Sequence, residues 1–230
     1  MKIDVLYEDN HLLIVNKAPG WLSQGDKTND ITILEPYKKY LKDKYAKPGN
    51  VYLHPAHRLD RPVSGCLILG RTTKGLSRVQ QLFKNNEVQK EYVAIVHQGP
   101  KDDAAELNNW ILKDRSKNRS LIRQSDMGGA KYATLTYRIL RRNKDLSLLL
   151  IRPTTGRSHQ IRVQLSHIKC PILYDMKYGS SVENASKSIA LHCYKLVFKH
   201  PTQDKMIEVR SIPPNNSNPW KQFKRILTTI

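Results

Sequence analysis

The chain has 230 residues, 39% of them hydrophobic, which is enough for a substantial core in one domain of ordinary to large size. Its 39 Lys and Arg against 20 Asp and Glu give a formal charge of +19, which favours a polyanionic partner: RNA, DNA or an anionic membrane surface. Cys66, Cys170 and Cys193 are odd in number and widely spaced, so they form neither a disulfide framework nor a paired zinc-ligand pattern.

The start, MKIDVLYEDN, has acids where a signal peptide would have basic residues and then an apolar stretch. No 18-residue apolar run occurs, so a cytoplasmic protein with no membrane partner is expected. The run His11 to Asn16 reads as a strand, and Lys17-Ala18-Pro19-Gly20 as a turn that redirects the chain. Ile33 to Tyr45 then has helical spacing, with Leu34, Tyr37 and Leu41 on one face beside several lysines, before Lys47-Pro48-Gly49-Asn50 breaks it. A polar turn-like segment through Asp60 leads to the apolar run Cys66 to Leu69 and to a helix in which Leu76, Val79, Leu82 and Phe83 share a face.

The second half is richer in strands: 91–96, 132–139, 146–151, 189–198 and 206–212. Residues 102–129 are polar and basic enough to read as a long, mobile excursion from the core. Gly156 to Ile168 reads as a helix entered through a glycine turn, with Ile161, Leu165 and Ile168 on one face and His159 and Arg162 on another. The tail from Pro219 to Leu227 has the spacing of a short amphipathic helix. There is no internal repeat and no low-complexity linker, so the expectation is one mixed α+β domain over residues 1–230, without a separate N-terminal RNA-binding domain.

The stretch richest in chemistry is His54-Pro55-Ala56-His57-Arg58-Leu59-Asp60-Arg61-Pro62-Val63-Ser64-Gly65, where one carboxylate is crowded by cations and is expected to stay ionised. On spacing alone, a loop ion pair between Asp60 and an adjacent arginine is the simpler reading. The segment, however, resembles the HRLD signature of the RluA family of RNA pseudouridine synthases. Lys90-Glu91-Tyr92-Val93-Ala94-Ile95-Val96 is similar to the second motif of that family, and Thr155-Gly156-Arg157-Ser158-His159-Gln160-Ile161-Arg162-Val163 to its third. Further similarity runs through Leu6 to Asn10, Pro171 to Asp175, Lys177 to Gly179, and Leu191-His192 to His200-Pro201, covering most of residues 5–214. Three departures stand out: the inverted Ala18-Pro19 order, Gln164 where histidine is common, and Tyr174 where glycine is common.

The resemblance implies a pseudouridine synthase fold, with a mixed, mostly antiparallel central sheet, flanking helices and a central RNA-binding cleft. It implies that Asp60 is the catalytic carboxylate, acting at the ribose either as a nucleophile on C1′ or as a base at C2′. Arg162 is then its ionic partner, and Tyr92 stacks on the base and assists loss of the C5 proton; the plainer reading of Tyr92 is a core aromatic on a strand. Arg58 matches the position that enters the stack when the target uridine is extruded, or else contacts a phosphate. His57, Arg61, Arg157 and His159 are read as support and RNA-contact residues. Lys113, Arg115, Lys117, Arg119 and Arg123, with Arg138, Arg141, Arg142 and Lys144, either guide the RNA backbone or form solvated basic faces.

The implied reaction breaks C1′–N1 and forms C1′–C5 without exchanging electrons, so no cofactor or metal is expected; the sequence has no dinucleotide fingerprint or Walker loop. The expected partner is a structured tRNA or rRNA stem-loop, with no obligatory protein partner and a monomeric state. Competing readings are an inactive RNA-binding or RNA-folding protein on the same scaffold, a glycosidase, which needs a second carboxylate, and a membrane-surface protein.

Overall fold

Leu12 to Val15 and Cys66 to Leu69 are all fully buried, and they pair antiparallel with Leu13 opposite Leu69 and Val15 opposite Leu67. Both runs are apolar without alternation because both sheet faces are covered. The computed structural model describes residues 3–25, 30–184, 188–214 and 219–230. In chain order its elements are β1 (Val5–Glu8), β2 (Leu12–Lys17), α1 (Leu34–Lys44), β3 (His54–Pro55), β4 (Ser64–Gly70), α2 (Thr73–Lys84), β5 (Gln89–His97), β6 (Ala104–Asp114), β7 (Arg119–Arg123), β8 (Lys131–Arg142), β9 (Leu146–Pro153), α3 (Gln160–His167), β10 (Leu191–Lys199), β11 (Met206–Arg210) and α4 (Lys224–Leu227). Short 3-10 turns lie at Met127–Gly129, Met176–Tyr178 and Trp220–Phe223.

The chain divides into two compact units, Met1–Gln89 with Cys193–Ser211, and Lys90–His192 with Ile212–Ile230. In the first, the strand order β1-β2-β4-β10 is extended by β3 on β4 and β11 on β10. The α1 face seen in the sequence is the buried one: Tyr37 and Leu41 are fully enclosed, and the Tyr37 hydroxyl accepts from Asp4 N–H at 3.1 Å. Thr72 caps α2 by accepting from Gly75 N–H, and Val79 supplies its buried contact. The similar blocks around Asp9 and His200 meet: the Asp9 carboxylate takes His200 Nε2 at 2.6 Å, the Tyr7 hydroxyl at 2.7 Å and the His11 N–H at 2.7 Å. Burial alone would raise the Asp9 pKa, but these donors outweigh it and hold the group at about 2.

In the second unit the antiparallel order is β5-β9-β8-β6-β7. Residues 102–129, expected to be an excursion, are instead mostly this sheet: Ile111 faces Ile122 across the β6–β7 hairpin, and Ile111, Ala133, Val163 and Tyr178 form a buried cluster. The alternating apolar residues of β6 are diluted by polar ones because only one face of the hairpin is covered. The helix expected from Gly156 begins only at Gln160, because His159 has φ 51° and its left-handed backbone keeps the preceding loop out of the helix. Nor is α3 amphipathic: Gln160 to Leu165 are all buried. In the tail, described from Pro219 onward after the undescribed residues 215–218, the expected amphipathic helix is a 3-10 turn followed by the single turn α4, and Trp220, Phe223 and Leu227 are buried. Among the described residues, no helix is long and apolar enough to cross a membrane.

Candidate active-site residues

Asp60 sits on the loop between β3 and β4 and is partly buried. Its backbone carbonyl accepts from Val63 N–H at 3.0 Å, closing a tight turn over Arg61 and Pro62. The loop is fixed on both sides. Before it, the Ser23 hydroxyl donates to Leu59 C=O at 2.8 Å and accepts from Leu59 N–H at 3.1 Å. After it, Gly20 N–H donates to Arg61 C=O at 2.8 Å, and Lys17 Nζ donates to the carbonyls of Ala18, Arg61 and Val63 at 3.1, 3.2 and 2.8 Å. Lys17 is completely buried, and burial pulls its pKa down to about 7; the negative charge of Asp60 works against that fall and Arg61 adds to it.

The neighbours of Asp60 have distinct duties. His57 Nε2 accepts from Ile68 N–H at 3.1 Å, and its ring stacks on Phe83 at 4.6 Å, so this histidine braces the loop against β4 and α2. Arg61 is exposed and pairs with Asp30 at 2.6 Å while donating from Nε to Gly20 C=O, so a carboxylate other than Asp60 holds it. Arg58 is exposed. Gly65 opens β4 with φ +114°, and a Cβ there would lie 2.3 Å from Cys193 C=O and 2.6 Å from its nitrogen. Only glycine lets the two backbones approach so closely at the end of the Asp60 loop.

The other sequence-predicted residues belong to the second unit. Tyr92 is partly buried on β5, opposite Ile151 of β9. Arg162, in the middle of α3, is 5% exposed, and its Nε and Nη2 donate to the two oxygens of Asp175 at 2.7 and 2.8 Å. This forked ion pair aims the guanidinium, which also lies 4.9 Å from the ring centroid of Tyr178. Tyr178 is a hub: its hydroxyl accepts from Ser120 N–H at 2.7 Å and shares a 2.8 Å hydrogen bond with His159 Nδ1, tying β7 to the start of α3. Burial raises the Tyr178 pKa, the phenol being easier to bury than the phenolate.

Arg157 is exposed and donates from Nε to Tyr132 C=O at 2.9 Å. Gln160 Oε1 accepts from Arg157 N–H and the Thr155 hydroxyl, while its Nε2 donates to Thr134 C=O at 3.0 Å. Gln164, one of the departures, donates to Asn109 Oδ1 at 2.8 Å and to Leu107 C=O at 3.0 Å, which fastens α3 to β6. Tyr174, another, has φ +72°, the backbone region in which glycine is at ease. Of the basic residues, Lys113, Arg115, Lys117 and Arg119 cluster exposed at the β6–β7 turn. Arg142 is occupied, bonding Pro100 C=O and Asp103 at 2.9 Å each.

Sequence reasoning did not single out Lys17, Ser23, Asp175 or Tyr178 for these duties. The last two do lie in segments that carry the family resemblance, and Lys17 opens the turn after β2.

The fold is shared with solved structures. Human RNA Pseudouridylate Synthase Domain Containing 4 aligns with a TM-score of 0.78 at 23% identity, covering 98% of this chain and 93% of that one. Human RNA Pseudouridylate Synthase Domain Containing 1 aligns with a TM-score of 0.72 at 22% identity, covering 100% and 96%. Residues 11–167 match the family described as RNA pseudouridylate synthase, and the chain belongs to that family. It is 32% identical over 214 residues to the ribosomal large subunit pseudouridine synthase C of Buchnera aphidicola subsp. Acyrthosiphon pisum, covering 90% of this chain and 66% of that one. It is 30% identical to an uncharacterised RNA pseudouridine synthase of Mycoplasma genitalium, covering 99% and 72%. It thus spans just under two thirds of the Buchnera relative.

Proposed function

We propose that this protein is an RNA pseudouridine synthase with Asp60 as its essential catalytic carboxylate. The observation that carries the reading is the complete HRLD string at His57 to Asp60 within a matched family region, with the aspartate on a loop whose backbone is hydrogen-bonded on both sides. Asp60 acts at the ribose, by attack on C1′ or by taking a proton from C2′. The C1′–N1 bond breaks, the uracil turns in place, C1′ joins C5, and the C5 proton leaves while N1 takes up a proton, so the product is an isomer of the substrate. Tyr92 stacks on the base and assists that proton's departure. The fixed guanidinium of Arg162 supplies positive charge for the reacting carboxylate, while Arg58 occupies the stack left by the extruded uridine, an extrusion costing roughly a few kcal/mol.

The substrate is a structured RNA. The ribosomal large subunit named for the Buchnera relative makes rRNA the first candidate, and tRNA the second. The exposed cations of the β6–β7 turn suit its phosphates. The protein is proposed to act in the cytoplasm as a monomer, as one catalytic domain, without a cofactor.

The test is carbodiimide mapping of pseudouridine in total rRNA and tRNA from cells lacking the protein, repeated after restoring wild type or Asp60→Asn. One or more sites should vanish and return with wild type alone. Restoration by Asp60→Asn would sink the catalytic assignment and favour an RNA-binding role on the same scaffold.

A further inference from the structure

We infer that the open face of β6, β7 and β8 is an RNA-binding surface in its own right, on which unpaired nucleotides stack against Trp110 and Tyr132 while Arg123 and Arg157 meet their phosphates. The inference rests on the proposal above that the substrate is RNA. Residues alternate sides along a strand, and one side of this hairpin faces the core: Ile111, Ala133 and Ile122 pack with Val163 of α3. Trp110 lies opposite both Tyr132 and Arg123 in the strand register, and so belongs to the other side. Leu112 and Leu121, opposite each other, extend the same strip. Tyr132 is 45% exposed, and Trp110, Leu112 and Leu121 are each only partly buried.

The two rings meet edge to face, with centroids 5.4 Å apart and planes at 65°, so each keeps a ring face that the other does not fill. Every base has a π-face whatever its identity, and aromatic rings on an open sheet hold unstacked bases with little regard to sequence. Arg123 is exposed directly across from Trp110, and Arg157 Nε donates to Tyr132 C=O at 2.9 Å, which moors a second exposed guanidinium beside the rings. The acids of β6 are engaged close to their own strand: Glu106 accepts from Asn108, and Asp114 from Ser116 and the Lys117 N–H. Rings and leucines rimmed by arginines suit a polyanion that carries flat bases, whereas a second copy of a chain with a formal charge of +19 is repelled. Arg162 belongs to α3, on the covered side, so this surface takes nucleotides other than the uridine that reacts.

The test uses the full chain and a dye-labelled RNA of roughly ten nucleotides that cannot pair with itself, beside the same strand annealed to its complement. Binding is followed by fluorescence anisotropy over a range of salt, with thermal melting as the control for folding. Tyr132→Thr removes the ring and keeps a residue suited to a strand. It should weaken binding of the unpaired RNA on the order of tenfold and of the duplex, whose bases are already stacked, by less than about twofold. Tyr132→Phe, which keeps the ring, should bind as wild type does. Arg123→Gln should make the slope of log Kd against log salt shallower by roughly 0.7, the share of one phosphate on a single strand. Ultraviolet irradiation of the wild-type complex should cross-link the RNA to peptides carrying Trp110 or Tyr132. A merely structural role for the ring would lower the melting temperature and weaken both RNAs alike.

If Tyr132→Thr does not fold, Arg123→Gln and the cross-links of the wild type carry the test. Wild-type affinity for the unpaired RNA in folded Tyr132→Thr overturns the inference, and so does an equal loss in Tyr132→Phe. A dimer seen by sedimentation and abolished by Tyr132→Thr would also overturn it, assigning the face to a second copy of the chain. Transcripts of large-subunit rRNA and of tRNA run alongside. Tight binding of a transcript by wild type, beside no binding of the unpaired strand, refutes this surface alone. Failure of wild type to bind any of these RNAs would mean that the RNA-substrate reading itself has failed.

Discussion

Replacing Asp175 by Asn keeps the side-chain volume and removes the negative charge against Arg162. In the native protein both carboxylate oxygens accept from the guanidinium, at 2.7 and 2.8 Å, with the two side chains only 1% and 6% exposed. The asparagine oxygen can accept one of those bonds, but its NH2 group then faces an N–H donor. Removing one partner of a buried ion pair costs about 3–5 kcal/mol, and the surviving bond places this variant near the lower end, about 3 kcal/mol. For a chain of this length each kcal/mol is worth about 2–4 °C, so melting should fall by roughly 6–12 °C. The backbone carbonyl of Asp175, which accepts from Tyr178 N–H and Ser180 N–H, is untouched, so the turn after it should persist. Paired thermal and urea unfolding of wild type and variant, followed by far-UV circular dichroism, gives the difference. A loss below about 1 kcal/mol would refute the reasoning, since a guanidinium that close to a buried carboxylate cannot be indifferent to it.

Other perturbations follow from the same geometry. Gly65→Ala puts a methyl group 2.3 Å from Cys193 C=O at φ +114°, and should cost about 3 kcal/mol or more, seen as a large fall in melting temperature and in soluble yield. The Asp9 carboxyl is held at about 2, below the ordinary 3.8, so its contribution is present above about pH 4 and is lost as pH falls towards 2; acid unfolding of Asp9→Asn should lack that component. Tyr174→Val, a β-branched residue at φ +72°, should destabilise by about 1–2 kcal/mol, whereas Tyr174→Asn should be better tolerated; equal melting temperatures would contradict this.

Much of this arrangement is legible in the residues. The spacing of Leu34, Tyr37 and Leu41 gives α1 and its buried face, and the unbroken apolar runs mark β2 and β4 as covered on both sides. The HRLD and GRSHQIR strings carry the family. What periodicity missed, it missed for physical reasons. A hairpin covered on one face shows half the apolar density of a central strand, so β6 and β7 read as loop. The start of α3 is delayed by a left-handed histidine, a backbone state that a histidine does not advertise. Lys17 reads as an ordinary turn lysine, because nothing along the chain says that the carbonyls of Arg61 and Val63 will close around it. Asp175 and Arg162 are 13 positions apart, and their pairing depends on a turn whose shape no single residue declares.

The two units are interleaved along the chain, and this bears on how the protein is made. The first needs residues 193–211 to complete a sheet begun by residues 5–70, and the second needs residues 212–230. A growing polypeptide therefore carries β4 for more than a hundred residues of synthesis before its neighbour β10 exists, with the narrow gap at Gly65 unfilled. Non-local pairing of this kind is slow and leaves apolar edges open meanwhile. Nascent chains stalled before residue 193 should lean on chaperones, and completion of the first unit follows, rather than accompanies, translation of the Asp60 loop.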